Sequence, residues 1–115
     1  MKKLDLNLEV GEKHLGAEKD KVKIVINWIL GALSRSINKP DTKGNPTSLS
    51  NIDVQRRYAK ITHLLNAQKD GVIEMDDDDF SFLHKKFHQA EFPVGSDVSV
   101  LLADISKRLD EVKNG

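Results

Sequence analysis

Residues 72–88 read VIEMDDDDFSFLHKKFH, and the fold turns on how this stretch divides. Val72 to Met75 is short, opens on two β-branched residues and follows Gly71, which reads as a brief strand. Phe80, Leu83 and Phe87 then fall at helical spacing. Between the two stand consecutive aspartates, Asp76 to Asp79. Neighbouring side chains on a helix point about 100° apart, so such a run does not converge on one ion. At a helix start the same run is well placed. A carboxylate there accepts from unpaired N–H groups, and negative charge meets the positive end of the dipole. The stretch therefore reads as strand, acidic cap and inward-facing helix.

Working outward, a strand needs a partner. Leu4, Leu6, Leu8 and Val10 alternate with Asp5, Asn7 and Glu9, the period of a half-buried strand over 4–10, and residues 72–75 are its one good partner. On the other side, Pro93 stops the helix that follows the aspartates. Ser96 is placed to cap a last helix with Asp97 in its first turn, carrying an apolar stripe of Val98, Leu101, Leu102, Ile105, Leu109 and Val112.

Two further helices precede the strand. From Asp20 to Ile37, Val22, Val25, Ile26, Ile29, Leu33 and Ile37 share one face. Ile24, Trp28 and Leu30 widen the apolar surface, so this helix is expected to be central or to have a partner on a second side. Gly31 is expected to admit a close neighbour. After a polar loop over 38–51, longer than ordinary connections and expected to be mobile or functional, Ser50 and Asp53 signal another helix start. Val54, Tyr58, Ile61 and Leu65 continue it toward an end near Asp70-Gly71. The expectation is a single domain over 1–115, mainly α, with about four helices packed on a two-stranded sheet formed by 4–10 and 72–75.

Bulk composition narrows the function classes. A chain of 115 residues is long enough to bury a core without disulfides or a structural metal. The 18 basic side chains balance 18 acidic ones, so no net field draws in nucleic acid or an anionic membrane. The absence of cysteine excludes disulfides, a thiolate nucleophile and Cys-containing zinc sites, and fits a cytoplasmic or virion-interior protein. Asp5 and Glu9 interrupt what would be the apolar core of a signal peptide. The most apolar stretch, Val22 to Leu33, falls short of the roughly 20 residues that span a bilayer. No membrane association is expected.

Three constellations carry candidate chemistry. With Gly71 as the sixth position of an EF-hand loop, Asn66, Gln68, Asp70, Ile73 and Asp77 would occupy positions 1, 3, 5, 8 and 12. Position 1 is not Asp and position 12 lacks the longer Glu, so the helix-cap reading of the aspartates is preferred. His84 and His88, four apart, lie on one helical stripe as two zinc ligands do, with Asp77 upstream. No third ligand is assured by the sequence, His14 and His63 being available only through tertiary proximity, and no metal site or cofactor is expected. The third is Arg56, Arg57 and Lys60, a basic cluster beside Tyr58 that offers a nucleic-acid contact. The last two helices are spaced as in a helix-turn-helix, but the would-be recognition helix presents Asp97 early and its cations late. No nucleophile elbow or phosphate-cradling loop is present, and no enzyme activity is expected.

The order of features, LDLNLEV, IVINWILGAL, a polar loop, RRYAKITHLLNA, VIEMDDDDFSFLHKKF and VSVLLADISKRL, resembles a group of small proteins encoded by tailed bacteriophages and prophages. In that group a β-run, an acidic cap and an aromatic helix precede a leucine-rich C-terminal helix. The resemblance implies a phage or prophage setting and supplies no functional residues. The combined expectation is a non-enzymatic interaction or assembly factor that self-associates through Trp28, Ile24 and Leu30. The alternative is a small DNA-binding regulator using Arg56, Arg57 and Lys60.

Overall fold

The computed structural model describes residues 1–9, 20–38 and 51–115. The described elements run β1 (Lys2–Asp5), α1 (Lys21–Ile37), α2 (Ile52–Asn66), β2 (Val72–Met75), α3 (Asp77–Gln89) and α4 (Ser96–Asn114). Among the described residues the chain is thus mainly helical, with one small sheet. In it β1 and β2 pair antiparallel, Lys2 opposite Met75 and Leu4 opposite Ile73.

The junction at 66–72 leads the chain from α2 into β2. Asp70 (φ 56°) and Gly71 (φ 79°) both lie in the left-handed region, and Val72 N–H donates to the Lys69 carbonyl at 3.1 Å. That is the geometry of a type I′ turn, for which Asp-Gly is a preferred pair because its twist matches that of the flanking strands. Helix α2 therefore ends at Asn66, earlier than the expected Asp70-Gly71, since those two residues are committed to reversing the chain.

Strand β1 also departs from its expected bounds, beginning at Lys2 and ending at Asp5. The alternation persists beyond it, with Leu6 buried and Asn7 exposed, but β2 offers only four residues to pair with. Leu6 N–H still donates to the Gly71 carbonyl at 2.6 Å. Asn7 then leaves the ladder. Its Nδ2 donates to Asp5 Oδ1 and to the Asp70 carbonyl, each at 2.8 Å, clamping the turn from above. Val10, the last expected strand residue, lies outside the described residues, as does the loop at 39–50.

Helix caps follow the logic of the sequence with small shifts of position. Asp20 accepts from Val22 N–H (3.0 Å) and Lys23 N–H (3.4 Å) to start α1. Asn51 caps α2 by accepting from Val54 N–H at 3.0 Å, one residue past Ser50, itself outside the described residues. The last helix begins after Gly95 rather than Ser96. Gly95 is the N-cap, and its N–H donates to Ser99 Oγ at 3.3 Å, a reach-back within the first turn.

Helix α1 is central. It buries Ile24, Val25, Ile26, Ile29, Ala32 and Leu33, with α3 as its main neighbour and contacts to α2 and α4 as well. Gly31 does not serve close packing: an added Cβ there would meet nothing within 4 Å. The core is completed by Leu4 and Leu6, Ile61 and Leu65, Ile73 and Met75, Phe80, Leu83 and Phe87, and Leu101, Ile105 and Leu109. Every inward position expected at 80, 83 and 87 is filled as the spacing dictates. Strand β1 is tied to α4 from both ends. Lys2 Nζ donates to the Val112 and Lys113 carbonyls at 3.4 and 3.3 Å, and Arg108 donates to the Asp5 carbonyl at 2.7 Å. A cation over the last-turn carbonyls of α4 complements the negative end of its dipole.

Candidate functional site

The aspartate run resolves into separate roles. Asp76 is the N-cap of α3, its Oδ1 accepting from Asp79 N–H at 2.8 Å. That bond, with Lys60 Nζ at 3.1 Å from Oδ2, holds the Asp76 carboxyl below the usual carboxylate range. Asp77 Oδ1 lies 3.6 Å from the amino terminus of Met1, and Asp78 is exposed. Asp79 is the exception, a carboxylate only 4% exposed. A buried charge needs a partner, and Asp79 has two: Arg57 at 3.4 Å and Lys60 at 2.6 Å. Its Oδ2 is the oxygen that meets Lys60, and its Oδ1 the one that meets Arg57. The two carboxylates push Lys60 above the ordinary lysine range, Asp79 contributing more than Asp76.

These contacts decide much about the basic cluster. Arg57 and Lys60 face the acidic cap of α3, and the Arg57 guanidinium also lies 5.6 Å from the centre of the Phe82 ring. Arg56 is exposed and makes no ion pair among the described residues. Two of the three cations expected to meet phosphate are thus engaged within the chain. The EF-hand positions are likewise occupied by local work, Gln68 Oε1 accepting from Gly71 N–H at 2.6 Å and Asp77 sitting in the first turn of α3.

Of the apolar residues expected at an interaction surface, Ile24 is corrected. It is 4% exposed within the core, because α1 is covered on the side that carries it, and it is unavailable to a partner. Trp28 and Leu30 are half-buried at the edge of the core. The Trp28 ring lies 5.9 Å from that of Phe92, and the Arg35 guanidinium sits 4.6 Å over the Phe92 ring. Arg35 also donates to the Glu91 carbonyl at 3.3 Å, fixing the α3–α4 connection against α1. Two residues past Phe92, Val94 is 95% exposed.

A second polar constellation is one that the sequence supplied only in part. His84 and His88 share a face of α3, and α4 brings Asp110 against them. His84 Nε2 is 2.7 Å and His88 Nε2 3.7 Å from Asp110 Oδ1. The imidazoles stack, centroids 4.2 Å apart and 28° from parallel. His88 Nδ1 lies 2.7 Å from the His84 carbonyl, and its Nε2 lies 2.8 Å from Ser106 Oγ. The hydrogen bond from His84 holds the Asp110 carboxyl below its ordinary range, and the nearby Lys113 charge acts in the same direction. An open cleft of about 420 Å³, bordered by Phe80, Ser81, Lys85, Gln89 and Lys113, lies beside both rings. His63 stands exposed on α2 and is not part of the cluster; His14 lies outside the described residues. Asp110 was discoverable only as one of several acidic positions on the polar side of the last helix, with nothing to mark its register against α3.

No family model, curated protein or solved structure matches this chain. Its class therefore rests on its own geometry, which among the described residues is four helices with a two-stranded sheet. Among the described residues no helix is long and apolar enough to cross a membrane.

Proposed function

We propose that the protein is a non-enzymatic interaction or assembly factor, of the phage or prophage type its sequence resembles, that self-associates through the face of α1 bearing Trp28. The observation that carries this reading is the Trp28–Phe92–Arg35 cluster, continued along the chain by the exposed Val94. Tryptophan and arginine are the residues that dominate binding energy at protein interfaces, and here they stand together with an aromatic partner at the surface. The balanced charge of the chain sets no electrostatic barrier against a second copy. The tie of Arg57 and Lys60 to Asp76 and Asp79 weighs against the alternative of a DNA-binding regulator.

Sedimentation velocity over a range of concentrations tests the reading. A reversible dimer or higher species is expected, lost on Val94→Asp with the fold retained. A strictly monomeric protein at high concentration refutes it. Salt-dependent binding of duplex DNA, abolished by charge reversal of Arg56, Arg57 and Lys60, would instead establish the regulator. Gene neighbourhood tests the setting, since phage structural and regulatory genes occupy different blocks.

A further inference from the structure

We propose that His84, His88 and Asp110 form a site for one borderline divalent transition-metal ion of the zinc class, which joins α3 to α4. The three offer one ligand atom each, all within 4.8 Å of one another. Bonds of about 2.0–2.1 Å to nitrogen and oxygen in a tetrahedron place ligand atoms about 3.3 Å apart, so side-chain rotation alone closes the set. The two contacts to Asp110 Oδ1, 2.7 and 3.7 Å, already bracket that separation.

The surroundings favour a ligand role for His88 in particular. Its Nδ1 sits 2.7 Å from a backbone carbonyl, which can only accept, so Nδ1 carries the proton and Nε2 presents a lone pair. A carbonyl behind a histidine in this way is the outer-shell arrangement that orients metal-bound imidazoles. Ser106 Oγ donates to that lone pair in the free protein and would yield it to the ion. On binding, His84 moves its proton to Nδ1 and turns Nε2 from Asp110 to the metal. The carboxylate stays beside the Nε2 edges of the two stacked rings as the anionic ligand.

Two imidazoles and one carboxylate suit zinc, cobalt or nickel, and are too poor in oxygen for calcium or magnesium. The side chains are 16%, 34% and 53% exposed, so an ion can enter and water can fill the remaining positions from the adjoining cleft. Lys85 and Lys113 border that cleft and oppose the ion's charge, which places the affinity in the range of an exchangeable rather than a permanently held metal. This site is separate from the Trp28 face and does not depend on self-association. It also departs from the sequence expectation of no metal, which rested on the lack of a third ligand that α4 supplies.

Calorimetric titration of the full chain with ZnCl₂, and with CoCl₂ followed by visible absorption, tests the assignment. One ion per chain is expected, with a dissociation constant on the order of 10 µM. Asp110→Asn and His88→Gln should each weaken binding roughly tenfold or more, and His63→Ala should leave it unchanged. In the unaltered protein, zinc should shift the imidazole NMR signals of His84 and His88 and spare His63, a readout that survives if a variant fails to fold. Absence of binding up to about 1 mM overturns the proposal. So does an Asp110→Asn variant that folds and binds as tightly as the parent, which would reduce the site to a simple helical histidine pair. Equal perturbation of His63 would mark binding as nonspecific and overturn it too.

Discussion

Replacing Gly71 by alanine probes the junction on which the fold depends, and its cost can be worked from two separate sources. The first is backbone conformation: Gly71 has φ 79°, where a Cβ costs about 1–2 kcal/mol. The second is space. A Cβ at this position would stand 2.5 Å from Asn7 Nδ2, 2.7 Å from Oδ1 and 2.8 Å from Cγ. Asn7 is exposed and can swing aside, but it then gives up its bonds to Asp5 Oδ1 and the Asp70 carbonyl. Each such bond contributes about 0.5–1.5 kcal/mol, less where water replaces it, so the displacement adds about 1 kcal/mol. Gly71→Ala should thus destabilise the protein by about 2–3 kcal/mol, a large part of the 5–15 kcal/mol typical of a domain. Urea unfolding followed by far-UV circular dichroism reads this out. With a slope near 1.5 kcal/mol/M, the midpoint should fall by about 1.3–2 M. A double-mutant cycle separates the two sources. In an Asn7→Ala background the steric part vanishes, so Gly71→Ala should cost only the conformational part, with a coupling of about 1 kcal/mol. Coupling near zero would refute the clamp. A Gly71→Ala cost below about 0.5 kcal/mol would refute the turn geometry as well.

Three further outcomes are expected. Gly31→Ala should stabilise the protein by about 0.4–1 kcal/mol in the same urea assay, since the position is helical and its Cβ would meet open space. Asp79→Asn should destabilise by about 1–2 kcal/mol, below the 3–5 kcal/mol of a fully buried pair, because the released Arg57 and Lys60 are 38% and 55% exposed and regain water; thermal unfolding of Asp79→Asn beside the exposed Asp78→Asn checks the difference. Stability should also depend on pH at both extremes, as measured by urea unfolding across the range. Asp5, Asp76 and Asp110 have lowered folded values, so their contribution is full above the ordinary 3.8 and is lost as pH falls through the lower folded values. Lys60 has a raised folded value, so its contribution is full below 10.5 and is lost as pH rises through the higher one.

Much of the fold was legible in local pattern. Helix α1 begins and ends where its periodicity says, β2 occupies Val72 to Met75, and Phe80, Leu83 and Phe87 turn inward behind an aspartate cap. Such features depend on residues within a turn or two of each other, and sequence spacing encodes them directly. The structure departs from local pattern where a neighbour distant in the chain intervenes. The end of β1 follows from the shortness of β2, and the loss of Ile24 as a surface residue follows from the covering of α1. The Asp-Gly signal for a type I′ turn was present at 70–71, although it was absorbed into the expected end of α2.

By itself, then, the sequence determined the helical architecture and the capping role of the acidic run, because hydrophobic period and helix-end chemistry are local; the strand pairing followed by elimination, residues 72–75 being the one good partner for the alternating start. It also set His84 and His88 on one face of a helix. Only the tertiary structure decided what those local elements meet. It drew Arg57 and Lys60 onto Asp76 and Asp79, and it set Asp110 of α4 against the two histidines of α3. The physical reason is the same in both cases. The register between packed helices is set by how their apolar ridges interlock across the core, and a polar residue's partner on another helix is a consequence of that packing rather than of its own neighbours in the chain.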